Sequence, residues 1–147
     1  MKLLRMILAV AGLTLAGSLF AQHGVQATIP FSFYVGNSQL MPSGTYTITP
    51  CLPSGNAAVM IRNCDNGLAV YHLTQAGDSD SKGNGKLLFH KYGDRFFLSE
   101  VQHPSLSTGL ILPVSGNEKK VQNETATVRT FETITVPKEN ETTPPEK

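Results

Sequence analysis

From Val25 to Val35 apolar side chains recur at every second position: Val25, Ala27, Ile29, Phe31, Phe33 and Val35, with Gln26, Thr28, Pro30, Ser32 and Tyr34 between them. A period of two places alternate residues on opposite faces of a pleated strand, so this stretch reads as β-structure with one buried face. Pro30 has no N–H to give to a ladder and puts the strand at an edge or a bulge. Gly36-Asn37 ends it, and Pro42-Ser43-Gly44 turns the chain into Thr45-Tyr46-Thr47-Ile48-Thr49, residue types that suit a half-buried pleated surface.

The same grammar continues. Ala58 to Arg62 and Leu68 to Thr74 read as strands joined by a tight turn at Asp65-Asn66-Gly67, since Asn-Gly tolerates the positive φ of a two-residue hairpin turn. Lys86 to Tyr92 and Arg95 to Val101 flank Gly93-Asp94, a second hairpin. Gly77 to Gly85 is a polar, glycine-rich loop, and Thr125 to Val136 returns to β-rich sequence. Ser115-x-x-Glu118 has the form of a capping box and predicts at most one short helix, for which Val121 is the sole apolar contact. Short strands at close spacing without a long helical period indicate an all-β domain, a single small antiparallel sandwich or barrel over residues 22–136. Residues 137–147 hold three prolines and five charged side chains with no apolar residue, a composition expected to be disordered.

The N-terminus predicts the compartment. Lys2 and Arg5 precede an uncharged apolar run from Met6 to Phe20 that closes on Ala21, the three-part pattern of a secretory signal peptide spanning residues 1–21. The run falls short of the roughly 20 apolar residues that span a bilayer as a helix, and no second candidate follows. Cleavage after Ala21, with Ser18 as the alternative, would leave a periplasmic or extracellular protein without a transmembrane segment. Of the 12 Lys and Arg residues, ten then remain against 11 Asp and Glu, a formal charge of −1. That balance lacks the basic face of a nucleic-acid binder.

The signs of catalysis or metal binding are weak. His23, His72, His90 and His103 show no ligand spacing. Asp78-x-Asp80 fails as a calcium loop, because Lys82 takes the third acidic position and Phe89 the place of the bidentate Glu. Lys82 to Lys86 lacks the glycine spacing of a phosphate cradle, and no G-x-S-x-G elbow is present. The expectation is a non-enzyme without cofactor or metal. The alternative is an exported hydrolase whose site is dispersed over several strands, with His72 or His90 as base.

Two sites follow from register. With Gly93-Asp94 as a two-residue turn, Tyr92 faces Arg95, His90 faces Phe97 and Phe89 faces Leu98. Leu87, Phe89, Phe96 and Leu98 then share a core face, while His90, Tyr92 and Phe97 lie on a partly exposed face, the expected ligand-binding surface. Cys51 and Cys64 are the chain's two cysteines, and an exported chain favours a disulfide between them. If 45–50 pair with 58–63, however, the cysteines sit about 20 Å apart at ~3.3 Å per residue, beyond the roughly 7 Å Cα limit of a bridge. A bond requires these strands to lie in different sheets.

Three motifs, Ile29-Pro-Phe-Ser-Phe-Tyr-Val-Gly36, Met41-Pro-Ser-Gly-Thr-Tyr-Thr-Ile48 and Lys86-Leu-Leu-Phe-His-Lys-Tyr-Gly-Asp-Arg-Phe-Phe-Leu-Ser-Glu-Val101, together with the signal peptide, resemble a group of small, exported, uncharacterised bacterial proteins. Their pattern reads I-P-F-x-F-x-V-G, L-P-x-G-T-Y and K-L-x-F-H-R-Y-G-D-x-Y-F-L-S-E-V. Met41, Ser43, Lys91 and Phe96 depart slightly from it. The resemblance implies export and supplies no activity. Pro42-Ser-Gly-Thr-Tyr46 is also similar to a turn in prealbumin-like and adhesin-stalk modules, a likeness of geometry alone. Partners are expected among envelope polymers or other envelope proteins.

Overall fold

The structure, a computed structural model, describes residues 24–51, 58–78, 84–104, 106, 108–125 and 129–136. The signal peptide, the tail 137–147 and most of the glycine-rich loop lie outside the described residues. The elements are β1 (Val25–Ile29), β2 (Phe33–Val35), β3 (Gln39–Met41), β4 (Gly44–Pro50), β5 (Ala58–Asn63), β6 (Ala69–Leu73), β7 (Gln75–Gly77), β8 (Gly85–Tyr92), β9 (Arg95–Gln102), β10 (Gly109–Ile111), α1 (Gly116–Thr125) and β11 (Thr130–Val136).

They form two sheets packed as a sandwich. One runs β1-β4-β5-β6; the other runs β11-β8-β9-β10-β7, with β2 on β9 and β3 on β2. All pairings are antiparallel except β2 with β9. The chain crosses between sheets at β1–β2, at β3–β4 and at β6–β7. No helix among the described residues is long and apolar enough to cross a membrane.

The alternation from Val25 to Val35 marks the core correctly, since Val25, Ala27, Ile29, Phe33 and Val35 are buried and Phe31 packs against them. It does not make one strand. The ladder stops at Pro30, and β1 and β2 join different sheets. A residue without an N–H is where a strand can leave its partner at least cost. Phe31 stacks on Phe96 at 3.9 Å between ring centroids and meets Phe89 edge-on at 5.1 Å. Phe33 bridges Phe89 and Tyr46 edge-on at 5.4 and 5.1 Å, carrying the ring contacts from one sheet to the other.

The Pro42 to Tyr46 turn has a physical explanation. The Tyr46 hydroxyl donates to the Pro42 carbonyl, pinning the entry to β4. A Cβ on Gly44 would lie 2.6 Å from Asp65 Oδ2, the oxygen that accepts the Thr45 N–H. The 65–67 turn is longer than the expected two-residue form. Residues 64–67 make a four-residue connection, closed by Asn63 N–H donating to Leu68 O. The side-chain oxygen of the buried Asn63 accepts the N–H groups of Asp65 and Asn66, and Gly67 takes φ +75°.

Cys51 and Cys64 are free and exposed. Both strands belong to the same sheet: Cys51 N–H bonds Ala58 O at one end of the β4–β5 ladder, and Cys64 N–H bonds Thr45 O at the other. The hairpin register therefore prevails over the bridge.

Candidate functional site

The β8–β9 hairpin has the register expected of a Gly93-Asp94 turn: Tyr92 opposes Arg95, His90 opposes Phe97 and Phe89 opposes Leu98. Gly93 sits at φ +59°, the left-handed region that the first position of such a turn requires. Further along, Leu88 opposes Glu100, so Ser99 is an extra residue in β9, and its hydroxyl donates to Leu88 O. Leu87, Phe89 and Leu98 are buried in the main core, with Phe96 packed against it.

The structure brings His90, Tyr92 and Phe97 together, as expected; Tyr92 and Phe97 are closed off, while His90 stays half-buried at the margin. Tyr92 and Phe97 retain 1% and 2% of their surface and form a second cluster with Val121 of α1 and half-buried Tyr34. Phe97 stacks on Tyr34 at 5.0 Å and meets Tyr92 edge-on at 5.9 Å. The correction comes from α1, which runs ten residues across this face.

Why α1 forms and stays follows from its polar ends. Ser115 Oγ accepts the Glu118 N–H, half of the capping box. The Asn117 N–H is taken by Asn37 Oδ1, from a turn 80 residues away in sequence. In a complete capping box the Glu118 carboxylate would fold back on its own N-terminus. Here it points into the protein. His90 Nδ1 lies 2.6 Å from Glu118 Oε1, and the Tyr92 hydroxyl donates to the same oxygen at 2.9 Å. A carboxylate only accepts, so Nδ1 carries the proton in this contact. Arg129 Nε donates to the Tyr92 hydroxyl at 3.0 Å, extending the chain of bonds to the start of β11.

Burial pushes the Tyr92 phenol above its ordinary pKa, the bond to Glu118 adds to this, and Arg129 opposes it. The phenol is thus held protonated as a donor. His90 also meets Phe131 edge-on at 5.4 Å, at the open margin of the cluster where Phe131 is 62% exposed.

Chemically the cluster is a closed clamp. Its imidazole, phenol, carboxylate and guanidinium bond one another, and none of the four is the serine, threonine or cysteine nucleophile of acyl transfer. His72, the other candidate base, is half-buried on β6 of the other sheet, with its ring against Gly36, and bonds Leu73 O through Nδ1 at 2.8 Å. Among the described residues no three His, Cys, Asp or Glu side chains converge as metal ligands. An open groove of about 380 Å³ lies elsewhere, where β1 approaches β11, lined by Gln26, Ala27, Thr28, Thr45 and Thr135. Neither Glu118 nor Arg129 stands out in the sequence as a site residue. The Ser115-x-x-Glu118 spacing is the available signal, and it points to the helix end instead of the sheet.

The fold and the clamp define an antiparallel β-sandwich with one helix pinned to a sheet face. No family model matches the chain, and no curated protein or solved structure is significantly similar to it.

Proposed function

We propose that the protein is an exported, non-catalytic β-domain with a structural or binding role in the cell envelope or the extracellular space. The observation that carries this reading is the clamp: the residues best suited to acid–base work, His90 and Glu118, are bonded to each other between β8 and α1, with 5% of the Glu118 side chain exposed. Side chains committed to holding an element in place are poorly disposed to meet a substrate. The signal-peptide pattern, and the resemblance of the three motifs to those of small exported bacterial proteins, support export. The hydroxyl- and amide-lined groove near Thr28 and Thr135 offers hydrogen-bonding groups of the kind an envelope polymer would use.

One observation favours the hydrolase alternative. A carboxylate on Nδ1 is how a histidine base is oriented for catalysis, and the His90–Glu118 contact has that form. Both readings meet one experiment. The exported chain is incubated with isolated cell-wall polymer and, separately, with ester, peptide and glycoside substrates. Co-sedimentation with the polymer, or crosslinking to an envelope protein, without turnover is the expected result. Turnover abolished in His90→Ala overturns the non-catalytic reading. The mature N-terminus, read by mass spectrometry, should be Gln22; retention of residues 1–21 would overturn export as a cleaved protein.

A further inference from the structure

The four-stranded sheet ends in β6, Ala69-Val70-Tyr71-His72-Leu73, whose described strand neighbour is β5 on one side. Edge strands of soluble proteins are usually blunted by lysine, proline, a bulge or extreme shortness. β6 has none of the first three, carries no Asp, Glu, Lys or Arg, and pairs with β5 in unbroken register over five residues.

The orientation of its backbone groups follows from one bond. Asn63 N–H donates to Leu68 O, so Leu68 points its backbone toward β5. Backbone direction alternates along a strand, so Val70 and His72 also point toward β5, while Ala69, Tyr71 and Leu73 present N–H and C=O to the free edge. The same three residues place their side chains on the outer face of the sheet. Tyr71 is 70% and Leu73 71% exposed, and they stand opposite half-buried Met60 and Ala58 of β5.

We infer that the β6 edge is a homodimer interface, in which β6 of one copy pairs antiparallel with β6 of a second copy about a two-fold axis at His72. This register sets Tyr71 opposite Leu73 of the other copy, and Leu73 opposite Tyr71, so both large exposed side chains cover each other. Both are edge-facing residues, so each pair exchanges two backbone hydrogen bonds, and His72 falls at the closer non-bonded position, its own backbone groups turned toward β5. Leu73 O, already bonded to the His72 ring, keeps a second lone pair for the Tyr71 N–H. An isologous contact uses one edge on each copy and closes at two.

No charge on β6 opposes the approach, and the formal charge is small, +1 for the whole chain and −1 without residues 1–21. The buried surface sets the strength. Two side chains and a short strand bury on the order of 300 Å² per copy, against roughly 800 Å² per partner in a stable interface. The dimer is therefore weak and concentration-dependent. The inference concerns the sheet that does not carry the clamp and stands whether or not the domain binds an envelope partner.

Sedimentation of the exported chain, in reductant so that Cys51 and Cys64 cannot crosslink, tests it over a wide concentration range. A monomer–dimer equilibrium is expected. Tyr71→Glu and Leu73→Lys should each weaken self-association at least about tenfold. An equimolar mixture of the two variants should restore it, because the register sets the new carboxylate of one copy against the new ammonium of the other. Amide exchange of the unsubstituted chain supplies a check free of variants: Tyr71 and Leu73 amides should gain protection as concentration rises, while Ala69, whose register partner Gln75 is held in β7, should not. A monomer at every concentration overturns the inference. So does a dimer indifferent to both substitutions, and so does a mixture that stays monomeric when each variant unfolds with the parent's cooperativity.

Discussion

On β8 and β9 the outward residues His90, Tyr92 and Phe97 lie beneath α1; on β5 and β6 the outward residues Met60, Tyr71 and Leu73 have no element over them among the described residues. Both surfaces are rich in aromatic and aliphatic side chains, so apolar content does not decide which is covered. The helix itself is polar: of Gly-Asn-Glu-Lys-Lys-Val-Gln-Asn-Glu-Thr, Val121 and Glu118 are the described side chains it buries. One valine contributes about 1.5–3 kcal/mol on full burial, too little to order ten residues at roughly 1–2 kcal/mol of backbone entropy each. The difference lies in polar anchors. The β8 face offers two donors, His90 and Tyr92, to the Glu118 carboxylate, and Asn37 takes a helix amide from below. The outer β5–β6 face also carries donors, Arg62 and Tyr71, but no described helix sets a carboxylate over them.

The sharpest way to break the comparison is to remove a ring from the buried side of the same hairpin. Phe89→Ala should cost about 3–5 kcal/mol in denaturant unfolding, the range for a fully buried aromatic. The fold should loosen as a whole, since Phe89 touches both Phe31 and Phe33. A near-neutral result would mean that the core lies elsewhere.

Glu118→Ala tests the anchor and should come next, at about 3 kcal/mol, because it leaves His90 and Tyr92 without their shared acceptor in a buried site. The loss should be local: amides of 116–125 should exchange faster while those of β4 and β5 do not. His90→Ala removes one donor and leaves Tyr92 on Glu118, so about 1–2 kcal/mol is expected. If α1 keeps its protection in Glu118→Ala, polar anchoring is not what holds it.

Alkaline titration sharpens the contrast between the buried phenols and the unfolded chain. Burial raises the pKa of Tyr46, with the Asp65 charge adding to it and the Asn63 amide opposing, and burial likewise raises that of Tyr92. Below the ordinary phenol pKa of about 10 both states are protonated, so this contribution to stability is complete. Above it the unfolded chain ionises first, and stability falls as pH rises through the folded values. Unfolding free energy measured from pH 8 upward should decline beyond about pH 10, and Tyr92→Phe should shallow that decline. A flat profile would contradict the raised pKa values.

The smallest effect belongs to the open face. Leu73→Ala and Tyr71→Ala should each change the stability of the monomer by less than about 0.5 kcal/mol, as expected where a side chain is mostly in water. A larger loss would show that something covers β6.

The alternation at Val25–Val35, the Gly93-Asp94 turn and the apolar face of Leu87, Phe89 and Leu98 were legible in the amino-acid order because strand period and turn chemistry are local properties. They suffice for the all-β class, for the buried positions and for the register of one hairpin. The sequence could not say that β1 and β2 part at Pro30 into different sheets, since alternation marks a face and not the sheet that owns it. Nor could it say that Glu118 would leave its own helix end for His90 and Tyr92. A capping box and a cross-element clamp use the same residue at the same spacing, and only the placement of α1 over β8 brings the second set of donors within reach. Closure of the His90 face and exposure of the β6 face were decided there, by contacts between residues far apart in the chain.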